Sequence, residues 1–333
     1  MSIVLVEKIS EMRLLVDRYA GKRLPGEREL AEQLQISRPS IRSILAVLEA
    51  EGLVHRRHGS GTYPTKVKSE RLQTALLLID QEIKLGNDPF FTLLVEQIQN
   101  ALQRQGIRSV LERIGKNAPL PFLEQGVITF GLAGESILAS LWDEAPPVVG
   151  LLLEKNIQPT GRASIFQLAD EKAGEEAVQN LFKAGYTNLK FIGNPRLPST
   201  YKRLVGIKKA VKQAGLNLEI MECPQNFNAG IRLGKKLDLN SKTAPTGIIV
   251  ANDWLALGLR AGLAEKPEGV SGIPIVSFDG LSITSDPSLN IHSLAVPFDL
   301  FAEDVVTELI RLSQSKSVMG RIISYDLYWP DTL

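Results

Sequence analysis

Residues 37–53 read SRPSIRSILAVLEAEGL, and the reading of this stretch decides what the chain is. Ser37 is a good N-cap, and Pro39 is tolerated in a first helical turn, where its missing N–H costs little. Ile41, Ile44, Leu45 and Leu48 recur at i, i+3, i+4 and i+7, so they form one core-facing stripe. Gly52 ends the helix. Arg38, Ser40 and Arg42 cluster at its start and project away from the stripe. A charged helix face is ordinarily a solvated face, and Arg42 taken alone reads that way. What stands on either side decides the matter.

Before it lies LPGERELAEQL, residues 24–34, a second amphipathic helix with Leu30, Ala31 and Leu34 on its apolar side. Only three residues connect the two. Two short helices, a tight turn and polar groups at the start of the second make a helix-turn-helix, in which those first residues reach base edges in the major groove. After it, residues 54–63 place the glycine-rich HGSG between two short extended runs, a hairpin signal. Residues 52–68 contain Arg56, Arg57, His58, Lys66 and Lys68 and no acidic residue. A basic hairpin directly after a helix-turn-helix is a wing, and its glycines let the backbone approach phosphates or a groove closely.

The stretch LPGERELAEQLQISRPSIRSILAVLEAEGLVHRRHGSGTYP, residues 24–64, resembles the winged helix of GntR-type transcriptional regulators. The resemblance implies DNA contacts at Arg28, Arg38, Arg42, and the wing tip His58 with Gly59, and phosphate contacts at Ser40 and Thr62. Gly26 stands where a serine or alanine is common; as a cap it costs only a few tenths of a kcal/mol relative to serine. The alternative for Arg28 is a pair with Glu32 at i+4.

Composition bounds the rest. The 333 residues allow two or three domains. Lys and Arg number 38 against 37 Asp and Glu, a net charge of +1, so any nucleic-acid signal must be local. Cys223 is the one cysteine, which excludes an internal disulfide or cysteine metal cluster and suits a reducing compartment. With His292 as the third histidine, His55 and His58 make a poor metal pair. The apolar run near the start is too short for a signal peptide, and no run approaches the ~20 residues a bilayer crossing needs. The expectation is a cytoplasmic protein without metal or cofactor.

From Ala75 onward short apolar runs alternate with amphipathic segments, the pattern of a doubly wound parallel α/β sheet. In such sheets ligands bind outside the carboxyl ends of the strands. Phe90 and Phe91, Arg203, Asn252 with Asp253, and Asp279 all follow apolar runs. Aromatic faces, carboxylates and an arginine suit a hydroxyl-rich ligand. Asp253 could instead cap the helix after it, Asp279 could serve a turn with Gly280, and the phenylalanines could be core.

Residues 72 to the end resemble, more loosely, the effector domain of LacI/GalR regulators, which are similar to periplasmic sugar-binding proteins. The motifs are NDPFF (87–91), ADEKAGEEAVQNLFKAGYTNLKFIG (169–193, with Asp170 and Gly174 at matching places), RLVGIKKA (203–210), PTGIIVANDWLALGL (245–259) and IPIVSFDG (273–280). The resemblance implies effector binding by Phe90, Phe91, Arg203 and Asp253; Asp279 joins them from its place after a strand. Two departures stand out. Asp88 is inserted between Asn87 and Pro89, and residues 115–125 replace a whole helix of the family.

The expectation is therefore an N-terminal winged helix-turn-helix over residues 1–66, a linker at 67–73, and a two-lobed, doubly wound, periplasmic-binding-protein-like effector and dimerisation domain at 74–333. Its first lobe takes about 74–182 plus 297–333, its second about 183–296. The function expected is a homodimeric repressor on an operator in double-stranded DNA, controlled by a small carbohydrate-like effector. A constitutive DNA-binding dimer with a degenerate pocket is the alternative. No G-x-S-x-G, P-loop or G-x-G-x-x-G is present, so no catalysis is expected.

Overall fold

The computed structural model describes residues 8–9, 11–12, 15–16, 19, 22–50, 53–57, 60–64, 72–115, 126–131, 135, 138, 146–153, 157–238, 245–266, 272–314 and 318–330, with the side chains of residues 50 and 57 excepted. Two compact units are present: residues 1–71 with 314–317, and residues 72–313 with 318–333.

In the smaller unit α1 (Glu27–Leu34) leads through a short turn into α2 (Arg38–Ala50), and β1 (Val54–Arg57) pairs antiparallel with β2 (Gly61–Pro64). Gln35 makes the turn in the left-handed conformation, φ 54°. The stripe of α2 is buried as its spacing requires: Ile41, Ile44, Leu45 and Leu48 meet Leu30, Leu34 and Val54. Ile9, Met12 and Val16, from helical residues before α1, complete that core. The lone glycine at the head of α1 is served from inside the helix, where the Glu29 carboxylate accepts from the Gly26 N–H at 2.8 Å.

The larger unit holds two sheets, each wholly parallel. The first has the order β13-β7-β6-β5-β3-β4, with β3 Thr74–Asp80, β4 Arg108–Ile114, β5 Val127–Phe130, β6 Val148–Leu151, β7 Ala163–Leu168 and β13 Ile322–Tyr325. The second has the order β12-β11-β10-β8-β9, with β8 Asn188–Gly193, β9 Asn217–Glu222, β10 Thr246–Val250, β11 Ile275–Asp279 and β12 Ile291–Ala295. Strands covered on both faces become continuous apolar runs, and every residue of β3, β5, β6, β10 and β11 is buried. The helices are α3 (Pro89–Arg104), α4 (Asp170–Lys183), α5 (Pro198–Ala214), α6 (Phe227–Lys236), α7 (Asp253–Ala264) and α8 (Phe298–Ser313).

Both sheets reverse their winding beside the first strand, so switch points lie between β3 and β5 and between β8 and β10. The chain returns to the first sheet at its end. β13 pairs with β7, and Tyr325 packs on Phe166 and Phe301. Glu308 of α8 locks this return: its buried carboxylate accepts from Ser164, Arg311 and Arg321 at 2.6–3.0 Å.

Leu72, inside the expected linker, is already buried in the core of the larger unit, while residues 67–71 lie outside the described residues. And α4, expected in the first lobe by a boundary at 182, packs on α5. A Cβ built on Gly174 would lie 2.1 Å from the carbonyl oxygen of Arg203, and one on Gly206 would lie 1.9 Å from that of Glu171. Glycine at both crossing points lets two backbones touch, a contact that no apolar periodicity announces.

Candidate functional site

The face of α2 away from its core carries the expected polar groups. The Ser40 N–H donates to Ser37 Oγ at 3.3 Å and the two hydroxyls lie 2.8 Å apart, so Ser37 caps the helix. Arg38 is exposed and has no ion-pair partner among the described residues. Arg42 Nε meets Glu27 Oε2 at 2.7 Å, which ties α2 to α1. Arg28 pairs with Glu32 at 3.3 Å, as the i+4 alternative anticipated, and both remain exposed. Arg56 Nε lies 3.3 Å from Glu49 Oε2. Thr62 stands opposite Arg56 in the hairpin, and its carbonyl accepts from the Leu24 N–H at 2.9 Å. His58 and Gly59 lie outside the described residues. His55 stacks on Tyr63 with centroids 5.9 Å apart, so its ring is part of the hairpin's packing.

In the larger unit, Arg203 is the centre of a buried charge cluster. Its side chain is 5% exposed. Nε donates to Asp170 Oδ1 at 2.8 Å, Nη1 donates to the Ala251 carbonyl at 2.7 Å, and Asp279 Oδ1 stands 3.8 Å from Nη1. The guanidinium also lies over the Phe278 ring, 4.6 Å from its centroid. Burial raises the pKa of Asp170, and Arg203 opposes that rise. Helix α4 supplies Asp170, α5 supplies Arg203, and the Gly174–Gly206 crossing brings the two within reach.

Asp279 ends β11 with φ 125°, a region that favours glycine. Its neighbours hold it there. Asp279 O accepts from the Val296 N–H at 3.1 Å, and the Gly280 N–H donates to Ser293 Oγ at 2.9 Å. Burial and then the Asp253 carboxylate push the Asp279 pKa well up, with Asp88 adding to the rise and Arg203 opposing it.

Asp253 is wholly enclosed, at 0% exposure. Oδ1 accepts from Ser277 and Ser293 hydroxyls at 2.5 and 2.7 Å, and Oδ2 from the Leu281 N–H at 2.7 Å. Burial lifts its pKa to about 6 against those hydrogen bonds. The capping role once open to Asp253 falls to Asn252, whose side chain accepts from the Leu255 N–H at 3.0 Å. Trp254 packs on Phe227 with its ring tilted by 31° and the centroids 5.0 Å apart.

Phe90 and Phe91 start α3 and are half-buried. Phe90 contacts Phe91 and Phe298 at 5.4 and 5.3 Å, and Phe91 contacts Phe130 at 6.4 Å. The inserted Asp88 is the N-cap of α3, accepting from the Phe91 N–H at 3.2 Å, and burial raises its pKa. Sequence reasoning missed Asp88, Ser277, Ser293 and Phe298 as members of this neighbourhood. Only Asp88 left a signal, as an insertion in a motif; the two serines and Phe298 arrive by long-range pairing. Among the described residues no group of three His, Cys, Asp or Glu side chains is placed to hold a metal. No described helix is long and apolar enough to cross a membrane.

Residues 5–63 match the gntR family of bacterial regulatory proteins, and residues 178–323 match the periplasmic binding protein-like domain. Among curated relatives, catabolite control protein A of Priestia megaterium is 28% identical over 155 residues, 45% of this chain and 46% of that protein, so the match spans about half the relative's length. The arabinose metabolism transcriptional repressor of Geobacillus stearothermophilus is 23% identical over 326 residues, 91% of this chain and 88% of that protein. A solved LacI family transcriptional regulator from Enterococcus faecium, with bound ribose, shares the fold with TM-score 0.66 at 20% identity, over 78% of this chain and 97% of that one. The chain thus carries a GntR-family helix-turn-helix domain at its N-terminus, followed by a periplasmic-binding-protein-like domain.

Proposed function

We propose that this chain is a transcriptional repressor whose hold on operator DNA is controlled by a small, uncharged, hydroxyl-rich effector. Its long relative is a repressor of arabinose metabolism, and its structural neighbour was solved with ribose. Arg38 and Arg42 read base edges from the start of α2, Arg28, Ser40 and Thr62 hold phosphates, and His58 and Gly59 add further contacts to DNA. Two copies of the chain on a near-palindrome place two such modules on successive turns. Effector binding favours one arrangement of the larger unit and shifts the population that grips DNA.

The observation that carries the effector half is the charge set around Arg203. One guanidinium faces Asp170 and Asp279, with Asp253 and Asp88 near enough to raise the Asp279 pKa. The one guanidinium of this set is already paired with Asp170 and leaves no cation for a phosphate, the carboxyl groups offer hydrogen-bond donors and acceptors to hydroxyls, and Phe90 and Phe91 offer ring faces to the apolar side of a sugar. A neutral pentose fits this chemistry and a sugar phosphate does not. Asp253 supports the site from behind by fixing Leu281 and the serines beside Asp279.

Calorimetric titration of the full chain with L-arabinose, D-ribose and ribose 5-phosphate tests the reading. It expects saturable heat from a neutral sugar and none from the phosphate. Tighter binding of the phosphate contradicts it. Operator binding without a response to any sugar favours the constitutive dimer instead.

A further inference from the structure

We infer that Arg23 is a further DNA-contacting residue of the wing, one that grips a backbone phosphate. The inference rests on the DNA-binding reading of this module and adds a residue that the sequence motifs do not contain. Arg23 stands four positions before Glu27, the first residue of α1, yet its side chain lies against the hairpin. The hydrogen bond from the Leu24 N–H to the Thr62 carbonyl pins the chain alongside β2, and Leu24 itself is buried in the core of the module. Arg23 then lies across Gly61. A Cβ built on Gly61 would stand 2.5 Å from Arg23 Nε and 3.1–3.2 Å from Cζ and Cδ. Gly61 has φ 115°, so glycine is required there for the backbone and also leaves the surface on which the arginine rests.

The charge pattern of the module points the same way. Arg28, Arg42 and Arg56 each have a carboxylate partner, Glu32, Glu27 and Glu49. Arg23 is exposed and, like Arg38, has no ion-pair partner among the described residues. A guanidinium without an acid partner breaks no ion pair when it meets a phosphate, and one whose stem already rests on Gly61 loses less freedom in doing so. Thr62 follows Gly61 along the hairpin and Arg57 is its partner across it, so Arg23 widens the wing's basic edge.

A phosphate contact carries no sequence information and releases counterions, which separates it from a base contact. The test measures the affinity of the full chain for a labelled random-sequence 30-base-pair duplex over a range of salt concentrations. Arg23→Gln keeps most of the stem over Gly61 and removes the charge; Arg23→Lys keeps the charge. The inference expects Arg23→Gln to reduce the slope of log affinity against log salt by about 0.9, to weaken binding equally for duplexes of different sequence, and to leave the melting temperature unchanged, with Arg23→Lys retaining the slope. A wild-type slope in Arg23→Gln, beside salt-dependent binding by the unaltered chain, overturns the role of Arg23 and leaves the DNA-binding reading standing. No salt-dependent binding by the unaltered chain overturns both.

Discussion

The carbonyl oxygen of Arg203 sits 2.1 Å from where a Cβ on Gly174 would stand. Two helix backbones in contact at this point set the distance between Asp170 at the head of α4 and the Arg203 guanidinium. Gly174→Ala therefore opens the crossing and pulls the ion pair apart. We expect it to destabilise the larger unit by roughly 1–3 kcal/mol, because backbone rather than a rotatable side chain is in the way. Urea unfolding checks this, and an unchanged midpoint would show that the helices separate without cost.

Arg203 cannot be replaced by a point charge. It serves Asp170, the Ala251 carbonyl and Asp279 from one planar group, and lysine reaches at most part of that set. Arg203→Ala leaves Asp170 buried and unpaired, at a cost of about 3–5 kcal/mol. Arg203→Lys should keep much of the stability and duplex affinity yet lose the response to a neutral sugar. A retained response in Arg203→Lys would remove the guanidinium from the effector site.

Asp253 makes stability fall with rising pH. Its folded-state pKa, about 6, lies above the ordinary carboxylate value near 4, so between these the folded state holds the proton and the unfolded state does not. The stabilising contribution is full below about pH 4 and is lost as pH rises through about 6. Asp253→Asn cannot titrate, so the stability of the wild type relative to this variant should decline across that window. Melting temperatures of both proteins from pH 4 to 7 measure it; parallel curves would contradict the assignment.

Glu308 titrates in the opposite sense. Burial raises its pKa, but hydrogen bonds from Arg311, Ser164 and Arg321 outweigh that and hold it at about 2. Its contribution is present above about pH 4.5 and is lost as pH falls through about 2. Glu308→Gln should cost about 1–3 kcal/mol at neutral pH and abolish that acid step. An identical acid melting profile in the variant would show that the Glu308 cluster does not hold β13 to α8.

The local parts of this molecule were legible in its sequence. The Ser37 cap and the stripe of Ile41, Ile44, Leu45 and Leu48 depend on residues within two turns of one another, and they are found as read. The two parallel sheets were legible because strands buried on both faces leave unbroken apolar runs. What escaped depends on distant pairing. Ser277 and Ser293 look like ordinary strand serines until β11 and β12 bring both to Asp253, 24 and 40 residues away in the chain. The packing of α4 on α5 rests on two glycines meeting across the helix pair. Arg23 gave no signal because its neighbour, Gly61, lies on the far side of both helices in sequence.

We propose that a small N-terminal module holds duplex DNA through the arginines at the start of α2. The most direct test is anisotropy of a labelled duplex, selected from a random pool for tight binding, titrated with the full chain and with Arg38→Ala and Arg42→Ala at several salt concentrations. Log affinity of the unaltered chain should fall linearly with log salt, and each variant should be weaker by about 1–3 kcal/mol with its melting temperature little changed. A chain with no salt-sensitive affinity, or variants that bind as tightly as the unaltered protein, would contradict it.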